Sequence, residues 1–208
     1  MDKKRVRDGA GTQVRILDAA ERLFSERGFS GTSIGRISKA SGISDGLILH
    51  HFKTKDNLYT AVRERVASRY NLVLAGKSDP AQESAGLGGM MHRFFQTAFG
   101  FFKHNITYHR ISLWSYLEGR TDVVDNEAEI TARMVTLVRS AQEGCILEDD
   151  FDPVMLLAMA VGSIHYWLRY RTQFKKILNY SESLAELDDR FLDQSARLLI
   201  RGVIKQED

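Results

Sequence analysis

Two adjacent histidines, His50 and His51, lie in the stretch SIGRISKASGISDGLILHHFKTKDNLY, Ser33 to Tyr59. Paired imidazoles can hold a metal, relay protons or read another molecule. Neighbouring helical residues point about 100° apart, so these two cannot serve one metal from one helix face. His92, His104, His109 and His165 match no metal-ligand spacing. Cys145 has no histidine close in sequence and reads as an inert buried thiol. EDDFD, Glu148 to Asp152, is acidic enough to suggest calcium but lacks the alternation of an EF-hand loop. A solvated helix N-terminus explains it. There is no Gly-rich phosphate loop, nucleophile elbow or zinc-protease motif. No catalytic residue, metal site or cofactor is expected, and binding is favoured over catalysis.

The elements that would position the histidines are helices. Helical spacing recurs throughout the 208 residues, and only 2 are proline. In TQVRILDAAERLFSERG, Ile16, Leu17, Ala20, Leu23 and Phe24 share a face, and Gly28 ends the helix. Thr32 offers an N-cap for a short helix over about Ser33 to Ala40. Ser44 caps a second, to about His51, and Thr54 a longer one, to about Leu74. The Gly-, Ser- and Pro-containing segment Ala75 to Gly89 reads as a linker. Further helices follow. One has Asp152 at its N-cap and Pro153 at N1, and the last opens on a capping box of Ser183 and Glu186. The expected fold is all-α, with about nine helices.

A short helix, a Gly-containing turn and a second short helix outline a helix-turn-helix. Ile34 and Ile37 face inward, Ser38 is small at the crossing, and Gly42 takes the turn. Ile43, Ile48 and Phe52 close the core. Ser44, Asp45, Gly46, Leu47 and His50 then face outward, toward a major groove. Thr32, Ser33, Arg36, Lys53 and Lys55 are placed to hold phosphate. Charge agrees with this placement. Residues 1–70 hold 14 Lys/Arg against 8 Asp/Glu, and residues 71–208 hold 15 against 19. A basic N-terminal third suits a polyanion.

GTSIGRISKASGISDGLILHHFKTKDNLY, extended back through ILDAAERLFSERGFSGTS, resembles the N-terminal signature of the tetracycline-repressor (TetR) family of bacterial transcriptional regulators. The resemblance covers about Val14 to Tyr59. It implies three N-terminal helices for DNA and about six C-terminal helices for dimerisation and a small-molecule effector. The expected division is a helix-turn-helix domain over 1–55, with a basic arm at 1–11, and an effector-binding and dimerisation domain over 56–208. The chain departs from the family pattern at Leu47, where Thr or Ser is common, at Leu49, where Tyr is common, and at His51, where an aromatic is common. Leu47 offers an apolar contact to a thymine methyl in place of a hydroxyl on phosphate. His50 is assigned to the groove and His51 to packing.

In the remainder, the helix from Pro153 is apolar almost all round and the last helix carries more than one apolar stripe. Excess apolar surface on two helices implies a second copy of the chain, with Gly162, Tyr166, Phe191 and Leu198 at a two-fold interface. Phe95, Phe99, Phe102, Trp114, Leu117, Met134, Met159 and Trp167 are the candidate lining of an effector pocket, and equally a plain core. A single cysteine fits a reducing compartment. The longest near-apolar run, Val154 to Leu168, is shorter than the roughly 20 residues of a membrane span. The expectation is a cytoplasmic homodimeric repressor whose partners are a double-stranded palindromic DNA operator and a small apolar or aromatic effector, with no membrane. An adaptor with a degenerate helix-turn-helix is the alternative, and an enzyme a lesser one.

Overall fold

A computed structural model describes residues 9–75, 86–144 and 147–203. Most of the basic arm, residues 76–85 and Cys145 lie outside the described residues, as do the side chains of Met90, Met91 and His92. Of the linker read over Ala75 to Gly89, Ala75 ends one helix and Gly86 to Gly89 open the next. The described chain contains nine helices: α1 Gly9–Arg27, α2 Ile34–Ser41, α3 Asp45–Phe52, α4 Lys55–Ala75, α5 Gly86–His104, α6 Ile106–Leu117, α7 Asp125–Glu143, α8 Pro153–Ile177 and α9 Leu184–Val203. None is long and apolar enough to cross a membrane.

Local chemistry starts these helices where the sequence signals it. Thr54 Oγ1 accepts from Asn57 N at 3.0 Å ahead of α4. Asp152 Oδ1 accepts from Val154 N at 2.7 Å and Met155 N at 3.1 Å, with Pro153 in the first turn of α8. The capping box of α9 closes both ways: Ser183 N donates to Glu186 Oε2 at 2.7 Å, and Glu186 N to Ser183 Oγ at 3.2 Å. One cap is shifted. Ser33, not Thr32, caps α2, because Thr32 is turned into the core and donates its hydroxyl to Leu23 O.

The chain divides into two compact units. The first takes the residues up to Arg69 together with Ile106–Glu127; the second takes Tyr70–Asn105 and the residues from Ala128 onward. The first unit packs α1–α3, most of α4 and α6 around Ile16, Ala20, Phe24, Ile37, Ile48, Leu58, Tyr59 and Val62. Phe24 meets the edge of Tyr59 at 4.9 Å between centroids. Its buried charge is Arg63, which donates to Asp122 Oδ2 and Glu127 Oε2, each at 2.6 Å, and to Asp122 O.

In the second unit α5, α8 and α9 pack on one another and bury Phe95, Phe99, Ile164, Leu187 and Leu192. Its buried charge is Asp188, which accepts from Trp167 Nε1 at 2.9 Å, Lys103 Nζ at 2.9 Å and Arg171 Nη1. The apolar sequence of α8 suggests a helix buried on most sides. Within one chain only the stripe Leu156, Ala160 and Ile164 is buried. Met155, Met159 and Tyr166 stand exposed, because α5 and α9, with α7 and Leu147 at Leu156, cover one side of a helix that is apolar on more than one.

Candidate nucleic-acid interface

The helix-turn-helix is built on three isoleucines. Ile37 of α2, Ile43 of the turn and Ile48 of α3 are buried, with Ile34 and Phe52 packed against them. Ser33 Oγ accepts from Arg36 N at 3.3 Å and opens α2. Gly42 closes it at φ 69°, ψ 24°, donating its N–H to Ser38 O. That left-handed backbone suits glycine, and a Cβ there would also come within 3.3 Å of Arg15 Nη2. Arg15 Nη2 donates to Ser41 O at 2.8 Å, tying α1 to the end of α2. Ser44 then sits extended at the start of α3 with no side-chain capping bond. Leu47 N and Ile48 N donate to Ser44 O, each at 3.0 Å, so it is the N–H groups of Asp45 and Gly46 that are left for another acceptor at the start of α3.

With Ile48 inward, α3 presents Asp45, Gly46, Leu47, Leu49 and His50 as an exposed surface. His51 is half-buried, its ring 5.6 Å from that of His50 and 6.3 Å from that of Phe52. Arg36 is exposed and donates to Gly31 O. Lys53 Nζ donates to His50 O at 3.0 Å, on the exposed side. Eight of the ten residues chosen for DNA thus stand exposed, on or next to α2 and α3. The other two are held within the unit. Thr32 is 1% exposed. Lys55 Nζ donates to Phe29 O at 3.0 Å and Thr32 O at 3.1 Å, and lies 3.9 Å from the Phe29 ring centroid.

Those contacts expose a part of the site that local spacing does not show. The loop Gly28 to Ser33, which leads into α2, is clamped from both sides. Lys55 takes its carbonyls, and the Glu118 carboxylate takes its amides, with Phe29 N and Ser30 N each 2.9 Å from a Glu118 oxygen. Arg120 adds a guanidinium 4.0 Å from the Phe29 ring centroid and pairs with Asp56 at 2.9 Å. Tyr59 and Ser115 share a buried hydroxyl–hydroxyl bond of 2.8 Å. Glu118 lies 88 and 89 residues from its partners, so no motif window contains the pair.

The family models match in two blocks. Residues 16–62 fit "Bacterial regulatory proteins, tetR family", and residues 92–191 fit "Tetracyclin repressor-like, C-terminal domain". The chain belongs to the TetR family. Among curated TetR-type relatives, it is 44% identical over 64 residues to the HTH-type transcriptional regulator AcrR of Shigella flexneri, covering 31% of this chain and 30% of that one. It is 43% identical over 54 residues to the HTH-type transcriptional repressor AcnR of Corynebacterium glutamicum, covering 26% of this chain and 29% of that one. The chain therefore spans less than a third of the length of these relatives. A TetR family transcription regulator from Marinobacter aquaeolei VT8 shares the fold across 95% of this chain and 97% of its own, with a TM-score of 0.69 at 17% identity.

The residues chosen for the C-terminal domain of this TetR chain do not form one group. Phe95, Phe99, Phe102 and Met134 are buried in the second unit. Trp167 is half-buried there and lies flat on Phe191, 5.1 Å between centroids at 3°. Met159, at 56% exposure, is on the surface of that unit. Trp114 and Leu117 belong to the first unit, because α6 packs with α1. An open cleft of about 580 Å³ lies between the end of α8 and the start of α9, lined by Thr172, Lys175, Lys176, Asn179, Tyr180 and Leu184, none of them a chosen residue. Of the four residues chosen for a two-fold interface, Gly162, Tyr166 and Leu198 are exposed. Phe191 is instead occupied within its own unit by Trp167 and Phe99.

Proposed function

We propose that this chain is a DNA-binding transcriptional repressor. It acts as a homodimer on a palindromic operator and is released by a small apolar or aromatic effector. The observation that carries the DNA reading is the exposed face of α3, held rigid by Ile37, Ile43 and Ile48 and flanked by Arg36, Lys53 and the uncapped start of α3. Residues 1–55 supply that reading surface and residues 56–208 the effector and dimer functions. AcrR is a regulator and AcnR a repressor, which supports the same assignment for the matched N-terminal stretch. The exposed apolar side chains Met155, Met159 and Tyr166 on α8 and Leu198 on α9 support a second copy of the chain, since a lone soluble chain rarely leaves such surfaces bare. Two recognition helices in such a dimer would meet successive major grooves about 34–36 Å apart.

The test is binding of the full chain to duplexes selected from random DNA, measured against salt. A regulator of this kind selects a two-fold symmetric site and loses affinity steeply as salt rises, because each neutralised phosphate releases counterions. A chain that enriches no sequence and shows no salt slope is an adaptor with an idle helix-turn-helix. The exposed Leu47 and Leu49 are what favour that second reading.

A further inference from the structure

We propose that the outward face of α3 reads C5-methyl groups in the major groove, so that it accepts thymine and 5-methylcytosine alike and discriminates against uracil and unmethylated cytosine. The proposal rests on the DNA-binding reading above and names the chemistry that reading would use.

The roll of α3 is fixed by Ile48, which is 0% exposed. Gly46 and His50, two positions to either side of it, form the outward pole. Leu47 and Leu49 lie about 100° to either side of Ile48 and flank that pole. They are 39% and 40% exposed. A Cβ added at Gly46 would meet nothing within 4 Å. The α3 backbone can therefore approach a groove closely at its pole, with a leucine standing on each flank. Whichever flank meets the base edges, a leucine is there.

The hydrogen-bonding inventory of the helix points the same way. Asp45 to Phe52 contains no Lys, Arg, Asn, Gln, Ser or Thr. The Arg or Lys contact to guanine O6/N7 and the Asn or Gln contact to adenine are therefore not available from α3. His50 and one carboxylate remain. Asp45 is four residues before Leu49, on the same flank. A carboxylate accepts only, so in a groove it needs the exocyclic amino group of cytosine N4 or adenine N6. Leu49 complements a methyl, and Asp45 an amino group on the same or a neighbouring pair. A T·A pair shows both, with thymine O4 between them, and a 5-methylcytosine·G pair shows the two side by side. A U·A pair and an unmethylated C·G pair show the amino group alone.

The experiment uses the full-length chain and the duplex it selects. At each thymine position the pair is made in turn T·A, U·A, 5-methylcytosine·G and C·G, and Kd is measured at fixed salt. Burying one methyl at roughly 0.8 kcal/mol gives an expected loss of about fourfold from T to U, and the same factor from 5-methylcytosine to C. Leu47→Ala and Leu49→Ala should bind the selected duplex more weakly and lose the methyl factor at the positions each leucine reads. Both side chains are exposed, so melting temperatures should hold. Equal affinity for T and U throughout the site overturns the proposal. So does a methyl factor that survives when Leu47→Ala and Leu49→Ala are combined in one chain, or one seen with thymine but not with 5-methylcytosine. If no duplex is selected at all, the regulator reading fails and this proposal falls with it.

Discussion

Arg63 and Asp188 are the buried charged side chains among the described residues, one in each compact unit and of opposite sign. Arg63 is 5% exposed and Asp188 is 2% exposed. Each is answered by two opposite charges, Asp122 and Glu127 in one case and Lys103 and Arg171 in the other. The partners differ. The Asp122 side chain is 48% exposed and keeps much of its water, and a backbone carbonyl supplements it. Lys103 and Arg171 are 32% and 21% exposed, and the indole N–H of Trp167 completes their set. The first unit thus sets a cation against one well-exposed carboxylate, Asp122, and one mostly covered, Glu127 at 26%. The second sets an anion against two cations that are both mostly covered. Burial opposes ionisation of Asp188, yet the Arg171, Lys103 and Trp167 donors outweigh it and hold the carboxyl below its ordinary range.

The largest effect should come from stranding Asp188. Lys103→Met combined with Arg171→Met leaves a buried carboxylate with only an indole donor and is expected to cost about 3–5 kcal/mol in urea unfolding. Either single change should cost far less, because one cation remains. The pH dependence gives a sharper signature. In the native chain Asp188 titrates below its unfolded value of about 3.9, so its contribution is complete above that pH and is lost as pH falls through the folded value. In the double variant only burial acts strongly, which raises the carboxyl. Its contribution then improves on acidification, and the acid limb changes sign. An unchanged acid limb would mean that Asp188 is not the group holding α5, α8 and α9 together.

Arg63→Met is the matching change in the first unit and should cost less, about 1–2 kcal/mol, since Asp122 at 48% exposure can turn to water when the guanidinium is gone and Glu127 alone is left mostly covered. A cost equal to that of stranding Asp188 would erase the distinction between the two clusters.

The same two units differ in how far the sequence reveals them. Signals in the first are local and backbone-bound: Gly42 at positive φ, Ser33 opening α2, and Ile37, Ile43 and Ile48 within twelve residues. Each is readable because a short window contains both the residue and its physical demand. Thr32 shows the limit. It has the right type for a cap and stands one position early, and only the approach of Leu23 O shows that its hydroxyl is spent inside. In the second unit the capping groups Asp152 and Ser183 were equally legible. Its interior was not. Asp188 sits in an ordinary acidic run, ELDDR, and its cations come from other helices. Aromatic spacing marked Trp114 and Trp167 alike as pocket candidates, and long-range packing put them in different units. Glu118 was missed for the same reason, since its partners are amides in a loop at the other end of the first unit.

A smaller effect should follow from the caps. Ser33→Ala removes the acceptor for Arg36 N and should cost about 1 kcal/mol. Ser44→Ala should cost almost nothing in stability, because Ser44 caps nothing. A loss of DNA affinity in Ser44→Ala without a stability change would assign that hydroxyl to phosphate or base.

Lys53 offers the finest test, because its backbone and its charge can be separated. It sits at φ 66°, ψ −52°, between α3 and α4, and Thr54 N donates to Phe52 O at 2.8 Å across it. That is a γ-turn on the positive-φ side, which is strained for any residue with a Cβ. Glycine relieves the strain but frees the unfolded chain, so Lys53→Gly should stabilise by about 0.5–1 kcal/mol. Lys53→Ala keeps the Cβ and should not stabilise. Both variants lose the ammonium and with it any phosphate contact, so both should bind DNA with a salt slope lower by about one. If α3 must be held rigidly against α4 to read a groove, Lys53→Gly should also bind more weakly than Lys53→Ala while being the more stable of the two. Equal affinity in the two variants would mean that the turn merely connects the helices and that the rigidity of the reading face comes from Ile37, Ile43 and Ile48 alone.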